Sequence, residues 1–141
     1  MTSFYKLEPE VPGGWGKDTI FDSSTTPRTI HELHYEFDDW LGDDIVESTP
    51  AFIVTAGLGK SIEESGMTGA TLGPVKITRS SQFLELCPGR TLPQFKWLRL
   101  YGEPGVDDLA LSSDLFLVVS DRALSILKSH NLNFCEISEW R

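Results

Sequence analysis

Residues 38–44 contain four aspartates and a tryptophan, and this is the stretch of the sequence whose side chains could most readily bind a metal or a partner. The members of this cluster are Asp38, Asp39, Trp40, Asp43 and Asp44. Clustered carboxylates are the ligands that hard divalent cations prefer, so one interpretation is a small metal-dependent hydrolase that uses these aspartates. The order does not follow a calcium-binding loop, because it lacks ligands at alternate positions and a glutamate at the twelfth.

Two other interpretations of the cluster stay open at the level of sequence. Tryptophan is enriched at binding hot spots, so Trp40 would anchor a partner protein while the aspartates form an acidic docking surface. Alternatively, the segment is a solvated turn in which Trp40 and Leu41 are buried. A second acidic pair, Asp107 and Asp108, is included in the predicted partner-binding surface.

Histidine and cysteine offer little further chemistry. His31 and His34 have metal-pair spacing, but their opposite parity in an extended strand predicts that they point to opposite faces, and we expect both to be partly exposed. Cys87 and Cys135 form no CxxC pattern, so we expect buried thiols rather than a disulfide. No nucleophile elbow, zinc-protease motif or dinucleotide fingerprint occurs. The sequence therefore predicts a protein that is not an enzyme, with no cofactor and no bound metal.

The charge of the chain is strongly negative and unevenly distributed. Its net charge is −9, and the stretches 29–59 and 102–121 contain acids but no lysine or arginine. Such acidity argues against direct binding to nucleic acid or to anionic membranes, which depends on basic residues. No apolar run approaches the roughly 20 residues that a membrane helix needs, and the first residues lack a signal-peptide pattern. We therefore expect a cytoplasmic protein.

The elements that must position these acids follow a pattern that occurs twice. Residues Leu115–Ile137 read as a buried strand, a helix capped by Ser120, and a returning strand. A shift of 65 positions finds the same order at about residues 50–72, where Thr55 takes the place of the cap. We interpret the two stretches as pseudo-repeats of one strand–helix–strand unit.

The two predicted helices differ in strength. Asn131 and Gly66 are expected to end them in the left-handed conformation. Gly57 and Gly59 lie inside the first helix, and each costs about 1 kcal/mol relative to alanine. The first helix should therefore be the weaker.

The repeat also predicts where the acidic loops lie. The 65-residue shift places Asp43 on Asp108, so an acidic pair precedes each repeated strand. If the two strands ran parallel in one sheet, both loops would emerge at the same edge and form a single negative face.

Length and pattern together predict one domain over residues 1–141 of class α+β. We expect a mixed, mainly antiparallel sheet that contains the two pseudo-repeats, with the helices packed on one face. Phe4–Glu8 is expected to be an edge strand, because Pro9 and Pro12 follow it.

Two regions of the chain resemble bacterial immunity proteins of polymorphic toxin systems, a family first catalogued as a domain of unknown function. The resemblance covers most of the chain and is carried by the stretches 35–44, 47–55, 107–108 and 117–124. It implies a cytoplasmic protein that binds one cognate toxin or effector domain tightly and occludes its active site, and it transfers no catalytic residue. An acidic surface suits a basic toxin domain. A non-catalytic scaffold module is the further alternative.

Overall fold

The computed structural model describes residues 2–26 and 28–141, and the chain folds in the α+β class predicted from the sequence. The helices are α1 (Ala56–Glu64), α2 (Ser81–Leu86) and α3 (Asp121–Lys128). The strands are β1 (Phe4–Glu8), β2 (Gly13–Trp15), β3 (Ile20–Asp22), β4 (Thr29–Glu32), β5 (His34–Phe37), β6 (Ile45–Ser48), β7 (Ala51–Thr55), β8 (Ala70–Gly73), β9 (Lys76–Arg79), β10 (Phe95–Leu100), β11 (Leu109–Leu111), β12 (Leu117–Ser120) and β13 (Glu136–Trp140).

In the part of the chain that the structure describes, the strands form four sheets rather than the single sheet that was expected. Two antiparallel four-stranded sheets have the orders β11-β12-β1-β13 and β6-β7-β10-β8. A three-stranded sheet, β2-β5-β9, contains the parallel pair β5–β9, and β3 and β4 form a hairpin. The expectation of one sheet was wrong because β7 is buried on both faces. One face of β7 contacts the β11-β12-β1-β13 sheet and the other contacts β5, so these strands belong to separate sheets on opposite sides of β7.

The two pseudo-repeats are present as units of matching order. Each starts with an antiparallel strand pair, β6-β7 or β11-β12, and continues directly into a helix, α1 or α3. The predicted caps are confirmed, since Thr55 accepts a hydrogen bond from the backbone N–H of Leu58 and Ser120 accepts one from that of Ala123. Within each unit the entering and returning strands do not pair with each other, because β10 or β1 lies between them.

Strand β1 occupies the interior of its sheet. Phe4 pairs with Ser120 on one side and with Trp140 on the other. The expected edge position was wrong, because prolines after a strand say nothing about which strands will flank it. As a result, the strand nearest the start of the chain completes the second unit in the place that β10 fills in the first.

The predicted helix stops have different outcomes. Gly66 has a φ of 65°, in the left-handed region, and confirms the stop after α1. Helix α3 ends at Lys128 with Ser129 as its cap, and within residues 2–26 and 28–141 Leu115 is the only non-glycine residue with positive φ. The left-handed stop predicted at Asn131 was therefore wrong.

Two hydrophobic cores hold the layers together. Phe52 and Val54 of β7 face the first core, where they meet side chains of α1, α3 and the β11-β12-β1-β13 sheet. Ile53 points the other way, into a second core shared with Tyr35 and Phe37 of β5. Full burial of one such aliphatic or aromatic side chain contributes about 1.5–3 kcal/mol.

No helix in the part of the chain that the structure describes is long and apolar enough to cross a membrane.

Candidate functional site: acidic junctions and an exposed acidic–apolar surface

Asp43 is completely buried and ties a distant segment to the cluster. Its two carboxylate oxygens accept hydrogen bonds from the backbone N–H groups of Asn133 at 2.9 Å and Phe134 at 2.8 Å. Its carbonyl oxygen accepts a bond from the indole Nε1 of Trp40 at 3.0 Å. A partner could reach this carboxylate only by displacing residues 133–134.

Asp44 joins the first unit to the segment after α3. One carboxylate oxygen accepts from the Thr55 hydroxyl and the other from the backbone N–H of Asn131, both at 2.8 Å. The N–H of Asp44 in turn donates to the Asn131 carbonyl at 2.9 Å. His130 Nδ1 lies 3.8 Å from the carboxylate.

Asp108 joins the second unit to the segment after α1. Its carboxylate accepts from the Ser120 hydroxyl at 2.6 Å, from the backbone N–H of Thr68 at 3.0 Å, and from Arg122 Nη2 at 2.6 Å. Burial alone would raise the pKa of Asp108, but the bonds from Arg122, Ser120 and Thr68 outweigh it and hold the pKa well below its ordinary value. The carboxylate is therefore ionised at neutral pH and committed to internal partners.

These contacts correct the correspondence between the two units. Asp44 and Asp108 play the same part, because each accepts a bond from the hydroxyl of a helix cap. The sequence shift had matched Asp43 with Asp108, which was wrong: the aspartate stands 11 residues before its cap in the first unit and 12 before it in the second.

The premise for a single negative face was also wrong. Strands β7 and β12 belong to different sheets, so they are not parallel neighbours whose loops share an edge. Asp44 contacts the segment after α3 and Asp108 the segment after α1. The acidic stretches therefore serve two junctions between the units.

The other predicted contact residues are partly exposed. Asp39 accepts hydrogen bonds from the N–H of Trp40 at 2.7 Å and from the thiol of Cys87 at 3.2 Å, and this second bond raises the pKa of the Cys87 thiol. Asp107 caps a turn by accepting from the N–H of Glu103 at 2.8 Å. The carboxylate of Asp38 makes no hydrogen bond or ion pair with any other described residue, so it is available to solvent.

Trp40 is half-buried and its polar group is already used. Besides the indole bond to Asp43, its ring lies edge-on to Phe95, with centroids 6.1 Å apart, and under the guanidinium of Arg90 at 5.0 Å. The exposed apolar residue of this loop is instead Leu41, whose exposed fraction is 49%. The turn interpretation had buried Leu41, which was wrong.

Sequence reasoning missed two apolar side chains and one acid that accompany Leu41. Glu10 accepts a hydrogen bond from the N–H of Leu41 at 3.3 Å, and its neighbour Val11 is 62% exposed. Leu86 is equally exposed and precedes Cys87, whose thiol bonds Asp39. Val11 and Leu86 each lie within two residues of a proline, outside any long periodic stretch, so periodicity predicts neither burial nor exposure there.

We call this group the acidic–apolar surface. Its residues are Glu10, Val11, Asp38, Asp39, Leu41 and Leu86. The segments 10–12 and 38–41 are joined directly, since the Pro12 carbonyl accepts from the N–H groups of both Asp38 and Asp39, and the segment of Leu86 is joined to them by the bond from the Cys87 thiol to Asp39. Burial raises the pKa of Glu10 above its ordinary value. Such an arrangement, apolar in part and bordered by carboxylates, is suited to contact with another protein.

The histidines lie in different environments, which corrects the expectation that both are partly exposed. His31 is exposed, whereas His34 is buried, with Nδ1 accepting from the N–H of Asp18 and Nε2 bonded to the Thr78 hydroxyl. A Cβ at Gly16 would lie 2.1 Å from the His34 ring, so this glycine makes room for it.

No group of three or more histidine, cysteine or acidic side chains within residues 2–26 and 28–141 is arranged to hold a metal ion. A scan of the chain against protein-family models gave no match, and a search of the curated proteins found no significant relative.

Proposed function

We propose that this chain is an immunity protein that binds a cognate bacterial toxin domain in the cytoplasm and occludes its active site through the acidic–apolar surface. The observation that carries the proposal is the exposure of Leu41 and Val11. Hydrogen bonds join the segments that carry them to each other, and these segments also hold Asp38, Asp39 and the partly buried Glu10. The resemblance to immunity proteins supports it independently of the geometry.

The chemistry of this surface favours a basic partner. Leu41 and Val11 would lose water on docking and supply the apolar part of the contact. The neighbouring carboxylates attract positive charge from a distance and raise the association rate, as does the net charge of −9. In this assignment, Asp43, Asp44 and Asp108 act within the fold and do not touch the toxin.

The hydrolase interpretation has less support. The oxygens of Asp43 and Asp44, which would be its metal ligands, already accept bonds from backbone N–H groups or from the Thr55 hydroxyl. A metal would have to compete with those donors, and the Asp43 carboxylate is in addition completely buried.

The direct test is protection from a toxin. A toxin domain encoded by a gene next to the gene for this chain would be expressed in a bacterial host with and without the chain, and growth and complex formation would be measured. We expect growth to be restored and a complex of about 1:1 to purify, because neutralisation requires tight binding. Growth arrest in the presence of folded chain would overturn the proposal.

The surface itself is tested by matched variants. Leu41→Asp and Asp38→Lys should weaken the complex at least about tenfold, which corresponds to about 1.4 kcal/mol. Val106→Asp and Asp114→Lys place the same changes at other exposed positions and should leave affinity unchanged. Equal affinity across all four folded variants would move the contact away from this surface.

A further inference from the structure

Strand β9 has a hydrogen-bonding edge to which no other described strand is added. Among the described residues it pairs with β5 alone, and the N–H groups of Lys76 and Ser80 donate to the carbonyls of Leu33 and Phe37. In a parallel ladder alternate residues face the same neighbour, so the N–H and C=O groups of Ile77 and Arg79 point to the opposite side. Within the described chain these backbone groups have no hydrogen-bond partner.

A groove runs along this open edge. It has a volume of about 570 Å³ and lies between β9 and the segment 91–96. Ile77 and Leu92 supply apolar walls, and Arg79 and Lys96 supply positive charge. None of the described residues that line the groove is an acid. Neither base makes an ion pair or a side-chain hydrogen bond to any residue that the structure describes. In a chain of net charge −9 this groove is locally cationic.

We propose that this groove receives an extended acidic segment of a partner protein, which adds to β9 as a further strand. Main-chain bonds to Ile77 and Arg79 hold the segment, and its alternate residues enter the groove. Its carboxylates meet Arg79 and Lys96, and its apolar side chains meet Ile77 and Leu92. The site is separate from the acidic–apolar surface and has the opposite charge preference, so the proposal does not depend on the proposed function.

The probe for the test is an acetylated eight-residue peptide of alternating glutamate and valine, added to the intact chain. We expect saturable binding by isothermal titration calorimetry, together with slower hydrogen exchange at the amides of Ile77 and Arg79. The matching lysine–valine peptide should not bind. A version with proline at alternate positions should also fail, because it lacks the N–H groups that a strand must donate.

Variants locate the site. Arg79→Glu and Lys96→Glu should each lower the affinity at least about tenfold, whereas Lys128→Glu, an equivalent reversal on α3, should not change it. Absence of binding up to about 1 mM would overturn the proposal, as would binding that leaves the Ile77 and Arg79 amides unprotected. Toxin protection by Arg79→Glu should equal that of the unaltered chain, so failure here is distinguishable from failure of the proposed function.

Discussion

A carboxylate with two well-placed acceptor oxygens can hold a distant segment of backbone, and three aspartates of this chain are used in that way. Asp43 reaches N–H groups 90 and 91 positions along the chain. The sequence identified Asp43, Asp44 and Asp108 as chemically important, because acids next to strands are conspicuous. It could not assign their roles, since the donors come from loops whose place depends on the whole fold.

The first prediction concerns Asp43. In Asp43→Asn the amide would present N–H donors to an N–H of the chain and leave a buried donor without an acceptor. We expect a loss of about 1–3 kcal/mol in the free energy of unfolding, measured by urea denaturation at pH 7. Asp114→Asn, at an exposed position, should change it by less than about 0.5 kcal/mol. If Asp43→Asn had the same free energy of unfolding as the unaltered chain, these buried hydrogen bonds would contribute no net stability.

The second prediction concerns Asp108 and pH. Because its pKa is lowered by folding, its contribution to stability is present above the unfolded-state pKa of about 3.9 and is lost as pH falls through the folded-state value. Asp108→Asn should therefore be less stable than the unaltered chain at pH 7, and the difference should shrink steadily below about pH 4. Urea denaturation of both proteins from pH 7 to pH 2 measures this. A difference that is constant over that range would contradict the ionised state as the source of the stability.

At the scale of elements, the sequence predicted correctly those features that depend on residues close together in the chain. The caps Thr55 and Ser120 were predicted because a hydroxyl at a helix start acts on an N–H three residues away. The place of β1 was not predicted, because strand pairing joins residues over 100 positions apart. His34 was also missed, since its burial depends on the hydroxyl of Thr78 and on the space left by Gly16.

The third prediction tests whether the glycines weaken α1. A Cβ at Gly57 would meet no atom within 4 Å, so Gly57→Ala should stabilise the protein by up to about 1 kcal/mol. At Gly59 a Cβ would lie 2.9 Å from the Leu72 Cδ1, and Gly59→Ala should gain less or lose stability. Thermal unfolding of the two variants compares them directly. If Gly59→Ala stabilised the protein more than Gly57→Ala, the conclusion that Gly59 has less room for a Cβ than Gly57 would be wrong.

At the scale of the whole molecule, the sequence was sufficient for the class and for the existence of two units, because both follow from short-range pattern. It was insufficient for the number of sheets, since the continuous burial of β7 does not reveal that its two faces serve different cores. Only two of the six residues of the acidic–apolar surface, Asp38 and Asp39, were predicted. The other four join them only through contacts that the fold makes: Glu10, Val11, Leu41 and Leu86.

The fourth prediction uses the closeness of the first and last strands, β1 and β13. Since Phe4 pairs with Trp140, a short linker can join residue 141 to residue 2, and the chain can be reopened after Gly105. The permuted chain should fold with a stability within about 2 kcal/mol of the original, because new ends in an exposed turn remove few contacts. Circular dichroism and urea denaturation measure this. An unfolded permutant would mean that the connection at residues 103–107 is essential to the fold.

The reciprocal contacts of Asp44 and Asp108 have a consequence for the cooperativity of unfolding. Each unit binds the backbone of the other through one aspartate, which also accepts a hydrogen bond from the hydroxyl that caps its own helix. The side chain beside the carboxylate differs between the two units, since Arg122 lies next to Asp108 and His130 next to Asp44. Unfolding of either unit would break a contact that holds the backbone of the other, so the two units should unfold together in one transition.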